Sequence, residues 1–174
     1  MTNYLYKHLI QPNIDNKKTF LLLDDGTEIS YEDFISLASK ISHKLSNLGL
    51  KLGDRILVKS SKCKETLSLY LSSILTGSVF FPLNPSYTLN ETIYFIEDSK
   101  PSFLICESSE VESIKPICDE IGCKILSLNA NGEGEVTDGL ENLDNFFEPN
   151  NRTNDDLAAL LYTSGTTGKP KVPC

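Results

Sequence analysis

Leu157-Ala158-Ala159-Leu160-Leu161-Tyr162 runs without a break into Thr163-Ser164-Gly165-Thr166-Thr167-Gly168-Lys169-Pro170-Lys171. The first six residues are an apolar run of strand length and predict a buried strand. The nine that follow are small, hydroxyl-bearing or flexible, and two lysines close them. Glycine leaves backbone N–H groups free to turn toward a ligand, and hydroxyls donate further hydrogen bonds. The lysines add positive charge. A loop of this make-up suits an anion, a phosphate above all.

Upstream of that run, strand and helix patterns alternate. Residues 55–59, 79–83, 102–106 and 124–128 are short apolar strands, the first centred on Ile56, Leu57 and Val58. Between them lie three helical patterns. Residues 65–75 are apolar on several sides and stop at Gly77. Residues 90–99 turn Ile93 and Ile96 inward, after an Asn84-Pro85 turn, and close at Lys100-Pro101. Residues 110–121 put Val111, Ile114, Cys118 and Ile121 on one side, and Pro116 either bends that helix or moves its start later. Connections of this length are too long for hairpins. The expected class is α/β, a parallel sheet layered with helices. Ligands collect beyond the carboxyl ends of strands in such sheets, which is where the Thr163–Lys171 loop leaves its strand.

The opening of the chain is different in kind. Residues 20–24 and 27–30 flank Asp25-Gly26, a pair that tolerates positive φ and predicts a small β-hairpin. Ser30 then caps a helix, with Asp33 three residues on. Tyr31, Phe34, Ile35, Ala38, Ile41, Leu45 and Leu48 form its apolar face, and Gly49 ends it. His43 lies off that face and is read as a solvated surface group. Residues 129–137 read as a polar surface loop, Leu140, Leu143 and Phe147 as a short helix, and residues 150–154 as a second loop.

The whole chain has 174 residues, 40% hydrophobic, enough for one domain with a core. Its net charge of −8 argues against nucleic acid as a partner. Residues 91–156 carry sixteen acidic and four basic side chains, which makes that half a solvated acidic face. No stretch approaches the roughly 20 apolar residues of a membrane span, and the start lacks the basic and apolar regions of a signal peptide. The expected location is the cytoplasm. Five cysteines make an odd count with no CxxC, so Cys118 and Cys123 are expected as buried thiols on a helix and its exit. No metal site and no disulfide is expected.

Three phosphate or nucleophile motifs fail on spacing. GxxxxGK followed by Ser or Thr is excluded, because only two residues lie between Gly165 and Gly168 and Pro170 follows Lys169. A GxSxG elbow would need glycine where Tyr162 stands. GxGxxG is absent. Tyr162-Thr163-Ser164-Gly165-Thr166-Thr167-Gly168-Lys169-Pro170-Lys171 instead resembles, along its whole length, the signature of the adenylate-forming (AMP-binding) superfamily. Other segments resemble it too: Ser30-Tyr31-Glu32-Asp33-Phe34, Leu48 to Arg55, and Asp155 to Tyr162. Pro82-Leu83-Asn84-Pro85-Ser86-Tyr87-Thr88-Leu89-Asn90-Glu91 followed by Tyr94-Phe95-Ile96 is similar to malonyl-CoA synthetases within the acyl-CoA synthetase branch.

The resemblance implies the first subdomain of the large N-terminal domain of such enzymes, residues 1–174 being a partial domain that ends just after the phosphate loop. It implies a two-step reaction. A carboxylate, malonate-like, attacks the α-phosphate of Mg2+-ATP to give an acyl-adenylate and pyrophosphate, and coenzyme A then displaces AMP. This is chemistry of fatty acid metabolism. In the resemblance, Thr163, Ser164, Thr166 and Thr167 donate hydroxyls to the β- and γ-phosphates. Gly165 and Gly168 give backbone access, and Lys171 brings a cation. No catalytic residue falls within the chain. The family places glycine after the second lysine, where this chain has Val172, and the remaining sites of the family have no counterpart here. The expectation is a fragment without turnover, prone to self-association through uncovered apolar edges. The alternatives left open are a fragment of a fatty-acid or other carboxylate–CoA ligase, and a non-catalytic nucleotide- or phosphate-binding module.

Overall fold

The computed structural model describes residues 3–162. Its centre is a four-stranded, wholly parallel sheet of β3 (Arg55–Lys59), β4 (Val79–Pro82), β5 (Phe103–Cys106) and β6 (Lys124–Ser127), in the order β4-β3-β5-β6. Helix α2 (Lys64–Thr76) joins β3 to β4, α3 (Leu89–Ser99) joins β4 to β5, and α4 (Val111–Ile121) joins β5 to β6. The expected α/β layering is what the chain forms.

Strand periodicity sorts the core into two layers. Ile56 and Val58 of β3 and Phe103 and Ile105 of β5 pack with Ile41, Leu45 and Leu69 on one face. Leu57, Leu104 and Cys106 point the other way, to Phe95, Ile96, Ile114 and Cys118. These residues of β3 and β5 are all buried because both faces are covered, which explains why the two strands read as continuous apolar runs rather than alternating ones.

The helix over the first face is α1 (Tyr31–Asn47). Ser30 caps it as expected: its Oγ accepts from the Asp33 N–H at 3.0 Å and donates to the Asp33 carboxylate at 2.6 Å. The preceding hairpin pairs β1 (Thr19–Leu22) with β2 (Glu28–Ser30), antiparallel. Its turn is longer than the Asp25-Gly26 pair suggests. Leu23 N–H bonds to Thr27 O at 2.9 Å, leaving a three-residue loop in which Gly26, at φ +84°, alone takes positive φ. Such loops place glycine where the chain must turn left-handed.

Several local expectations are corrected. Helix α3 buries Thr92, Phe95, Ile96 and Ser99, while Ile93 is only half-buried. Pro116 sits inside α4 and does not delay its start, which is Val111. Residues 129–137 are more than a surface loop, since Val136 is fully buried in the first layer. The segment folds back on β6: Val136 N–H bonds to Ser127 O, and a Cβ on Gly134 would stand 2.5 Å from that same carbonyl oxygen. The short helix near Leu140 is a single 3-10 turn, Leu140–Asn142, and does not reach Phe147. His43 is not simply solvated: its Nε2 lies 2.8 Å from Phe146 O and its ring meets Phe147 edge-on.

Candidate functional site

Residues 150–162 carry the chain from the end of α2 to the edge of β4, ahead of the hydroxyl-rich motif. Asn150 fixes the approach, its N–H bonding to Leu75 O and its Nδ2 to Thr76 O, both at 2.8 Å. The Asp156 carboxylate accepts from the Thr153 N–H at 2.6 Å and from the Thr153 hydroxyl at 3.0 Å. Those bonds to Thr153 hold its pKa below the ordinary carboxylate range. Arg152 donates to Leu157 O at 2.9 Å.

The apolar run then meets β4. Phe80 N–H bonds to Ala158 O at 3.0 Å, Leu160 N–H bonds to Phe80 O at 2.9 Å, and Phe80 and Ala159 form a parallel bridge. The expected buried strand is therefore corrected to an edge contact of one bridge. Leu160 and Tyr162 pack against the second core layer, whereas Leu157 is 59% and Leu161 58% exposed. A groove of about 730 Å³ follows this edge, lined by Leu67, Tyr70, Phe80, Pro82, Ala159 and Leu161 among others.

Tyr162, the residue before the hydroxyl-rich loop, is held by its side chain. Its ring stacks on Phe81, with centroids 5.0 Å apart and planes 20° apart, and meets Phe95 edge-on at 4.9 Å. Its hydroxyl donates to the Asp98 carboxylate on α3. Burial, followed by that hydrogen bond and the Asp98 charge, raises the phenol pKa well above its ordinary value. Tyr162 opens the motif in the sequence, but nothing there marks Asp98, 64 positions away, as its partner.

A second polar group occupies the other place where this topology gathers ligands. The connections from β3 and β5 lead to opposite sides of the sheet, so the carboxyl ends of these two neighbours form the topological switch point. Lys59, at the end of β3, is 2% exposed and forms an ion pair with Glu110, just before α4. Beside it, Ser61 N–H donates to the Glu107 carboxylate at 3.2 Å, and Ser60 Oγ donates to Leu128 O at 3.0 Å. The crevice is filled from within.

The residues predicted to hold phosphate, Thr163, Ser164, Gly165, Thr166, Thr167, Gly168 and Lys171, lie outside the described residues. Cys63, Cys106, Cys118 and Cys123 are free, and all but Cys63 are buried. Burial pushes the Cys106 thiol up to about 12, so it stays protonated at neutral pH. Among the described residues, no group of three or more His, Cys, Asp or Glu is placed to hold a metal ion, and no helix is long and apolar enough to cross a membrane.

Residues 11–172 match the profile of a family described as AMP-binding enzyme. The chain belongs to the AMP-binding enzyme family. Its fold is the N-terminal part of the adenylate-forming fold, and it superposes on ATP-bound MatB from Rhodopseudomonas palustris with a TM-score of 0.94 and 36% identity, covering 99% of this chain and 34% of that one. An uncharacterised acyl-CoA ligase of Bacillus subtilis, YtcI, is 30% identical over 89% of this chain and 30% of its own length. A malonate–CoA ligase of Arabidopsis thaliana is 29% identical over 84% of this chain and 27% of its own length. The chain thus spans about a third of the length of these three relatives.

Proposed function

We propose that this chain is the phosphate-gripping part of an ATP-dependent carboxylate–CoA ligase, with a malonate-like acid as the favoured substrate. The observation that carries the reading is the Tyr162–Lys171 motif, delivered by a chain that runs parallel to β4 through the Phe80–Ala159 bridge. In this reading Thr163, Ser164, Thr166 and Thr167 donate to the β- and γ-phosphates of Mg2+-ATP, Gly165 and Gly168 open the backbone to them, and Lys171 brings charge. Donors fixed in advance stabilise the charge that builds on departing pyrophosphate more than they stabilise bound ATP. Coenzyme A then takes the acyl group. Malonate is favoured by the likeness to MatB and to the malonate–CoA ligase, and a cytoplasmic location suits such a reaction.

The 174 residues alone do not turn over in this proposal, because they span only about a third of the length of the MatB and YtcI relatives and the resemblance places the acid, adenine and CoA sites outside that part. Purified chain given ATP, Mg2+, CoA and malonate is expected to release no AMP above a protein-free control. Steady AMP release would overturn the claim of inactivity.

The exposed apolar side chains add a physical expectation. Leu22, Leu67, Leu157 and Leu161 are all exposed, and apolar side chains gathered near a sheet edge favour association between copies. Light scattering across a dilution series should show a mass that falls with dilution. A concentration-independent monomer would count against self-association.

A further inference from the structure

We propose that Tyr162 is a positioning residue for the phosphate loop, aimed by its hydrogen bond to Asp98. The inference rests on the reading of residues 163–171 as that loop. Among the described residues, the last backbone bond tying the chain to the sheet is Leu160 N–H to Phe80 O. Two residues further on, side-chain contacts take over from the ladder. Phe81 of β4 and Phe95 of α3 meet the Tyr162 ring from two elements, at 20° and 77° to its plane, which fixes both the depth and the tilt of the ring. The hydroxyl contact to Asp98 removes the remaining freedom by fixing the tip of the side chain, so that the ring cannot slide or swing within its stacking plane.

The Tyr162 carbonyl carbon bears the amide of Thr163. Any swing of this residue is passed directly to the loop, and a donor array works only if it is held in place before the charge develops. Stacking alone tolerates sliding, since offset aromatic pairs have broad minima. A charge-assisted bond between phenol and carboxylate is short and directional. Asp98 therefore does what the ring contacts cannot. The raised phenol pKa is consistent with this, because a phenol that donates to a carboxylate resists ionisation.

The test is hydrogen exchange by mass spectrometry on the 174-residue chain, read on peptides from Leu160 onward. Tyr162→Phe keeps the ring and loses the bond; Asp98→Ala loses the acceptor. Each is expected to speed exchange there by roughly three- to tenfold, the range set by the loss of one partly exposed charged hydrogen bond. The double variant should be no faster than either single one. Asp98→Asn, whose amide oxygen still accepts from the phenol, should restore most of the protection, while the urea midpoint moves little in all four. Unchanged exchange in Tyr162→Phe, additive losses in the double variant, or Asp98→Asn behaving as Asp98→Ala would overturn the proposal. None of these readouts needs nucleotide, so the positioning claim fails separately from the phosphate reading.

Discussion

Phe95→Ala is expected to destabilise the chain by about 3–5 kcal/mol, the cost of removing a fully buried aromatic ring. Phe95 is 1% exposed and stands where four other rings converge. Tyr87 stacks on it at 5.2 Å, and Phe81, Tyr94 and Tyr162 meet it edge-on or tilted at 6.1, 5.4 and 4.9 Å. These partners come from β4, from the turn before α3, from α3 itself and from the chain beyond β4, so no single element can move in to fill the space. The cavity should persist, which places the cost toward the upper end of the range. Urea unfolding should show a lower midpoint with an unchanged slope. Phe95→Leu, which keeps most of the volume, should cost less than about 1.5 kcal/mol. A Phe95→Ala cost below about 1 kcal/mol would mean that the aromatic cluster repacks around the gap.

Phe95 also shows where sequence periodicity stops being informative. The buried stripe of α3 is Thr92, Phe95, Ile96 and Ser99, an i, i+3, i+4, i+7 pattern in which two members carry hydroxyls. A search for apolar spacing passes over those two and settles on Ile93 and Ile96. The hydroxyls can be buried because the helix satisfies them: Thr92 Oγ1 bonds to Thr88 O at 2.9 Å and Ser99 Oγ to Phe95 O at 2.6 Å. Helix α2 repeats the device with Ser68 and Thr76, and at its contact with α1 the Ser42 and Ser72 hydroxyls bond at 3.0 Å. Small hydroxyl residues that return their proton to their own helix behave as core.

The parallel strands were legible for the opposite reason. Ile56-Leu57-Val58 and Phe103-Leu104-Ile105 lie in interior strands covered on both faces, so every residue is apolar and the run is unbroken. The same logic misreads residues 157–162. An unbroken apolar run there implies cover on both faces, yet among the described residues only Leu160 and Tyr162 are covered by the core. The motif itself was legible because its chemistry is local: hydroxyls, glycines and lysines in one stretch. Its support was not, because Asp98 looks like any exposed acid near a helix end until the fold brings Tyr162 to it.

The Lys59–Glu110 pair was hidden in the same way, and replacing it has a large expected effect. Glu110→Ala should destabilise the chain by about 2–3 kcal/mol. That lies below the roughly 3–5 kcal/mol for breaking a fully enclosed pair, because the Glu110 side chain is 31% exposed and water can reach it. The cost arises at Lys59, which is 2% exposed in an interior strand between β4 and β5 and would be left with a buried charge. Removing both charges at once separates the worth of the pair from the penalty of orphaning one member. Lys59→Met with Glu110→Gln should return stability to within about 1 kcal/mol of the parent, or raise it, since apolar packing often replaces a buried ion pair without loss. Urea midpoints of the parent, the Glu110→Ala variant and the double variant decide the matter. A neutral Glu110→Ala would mean that water entering past the missing carboxylate solvates Lys59, and that the ion pair does not hold the switch-point crevice closed. With the pair intact, the crevice between β3 and β5 is filled by the protein's own ammonium and carboxylates.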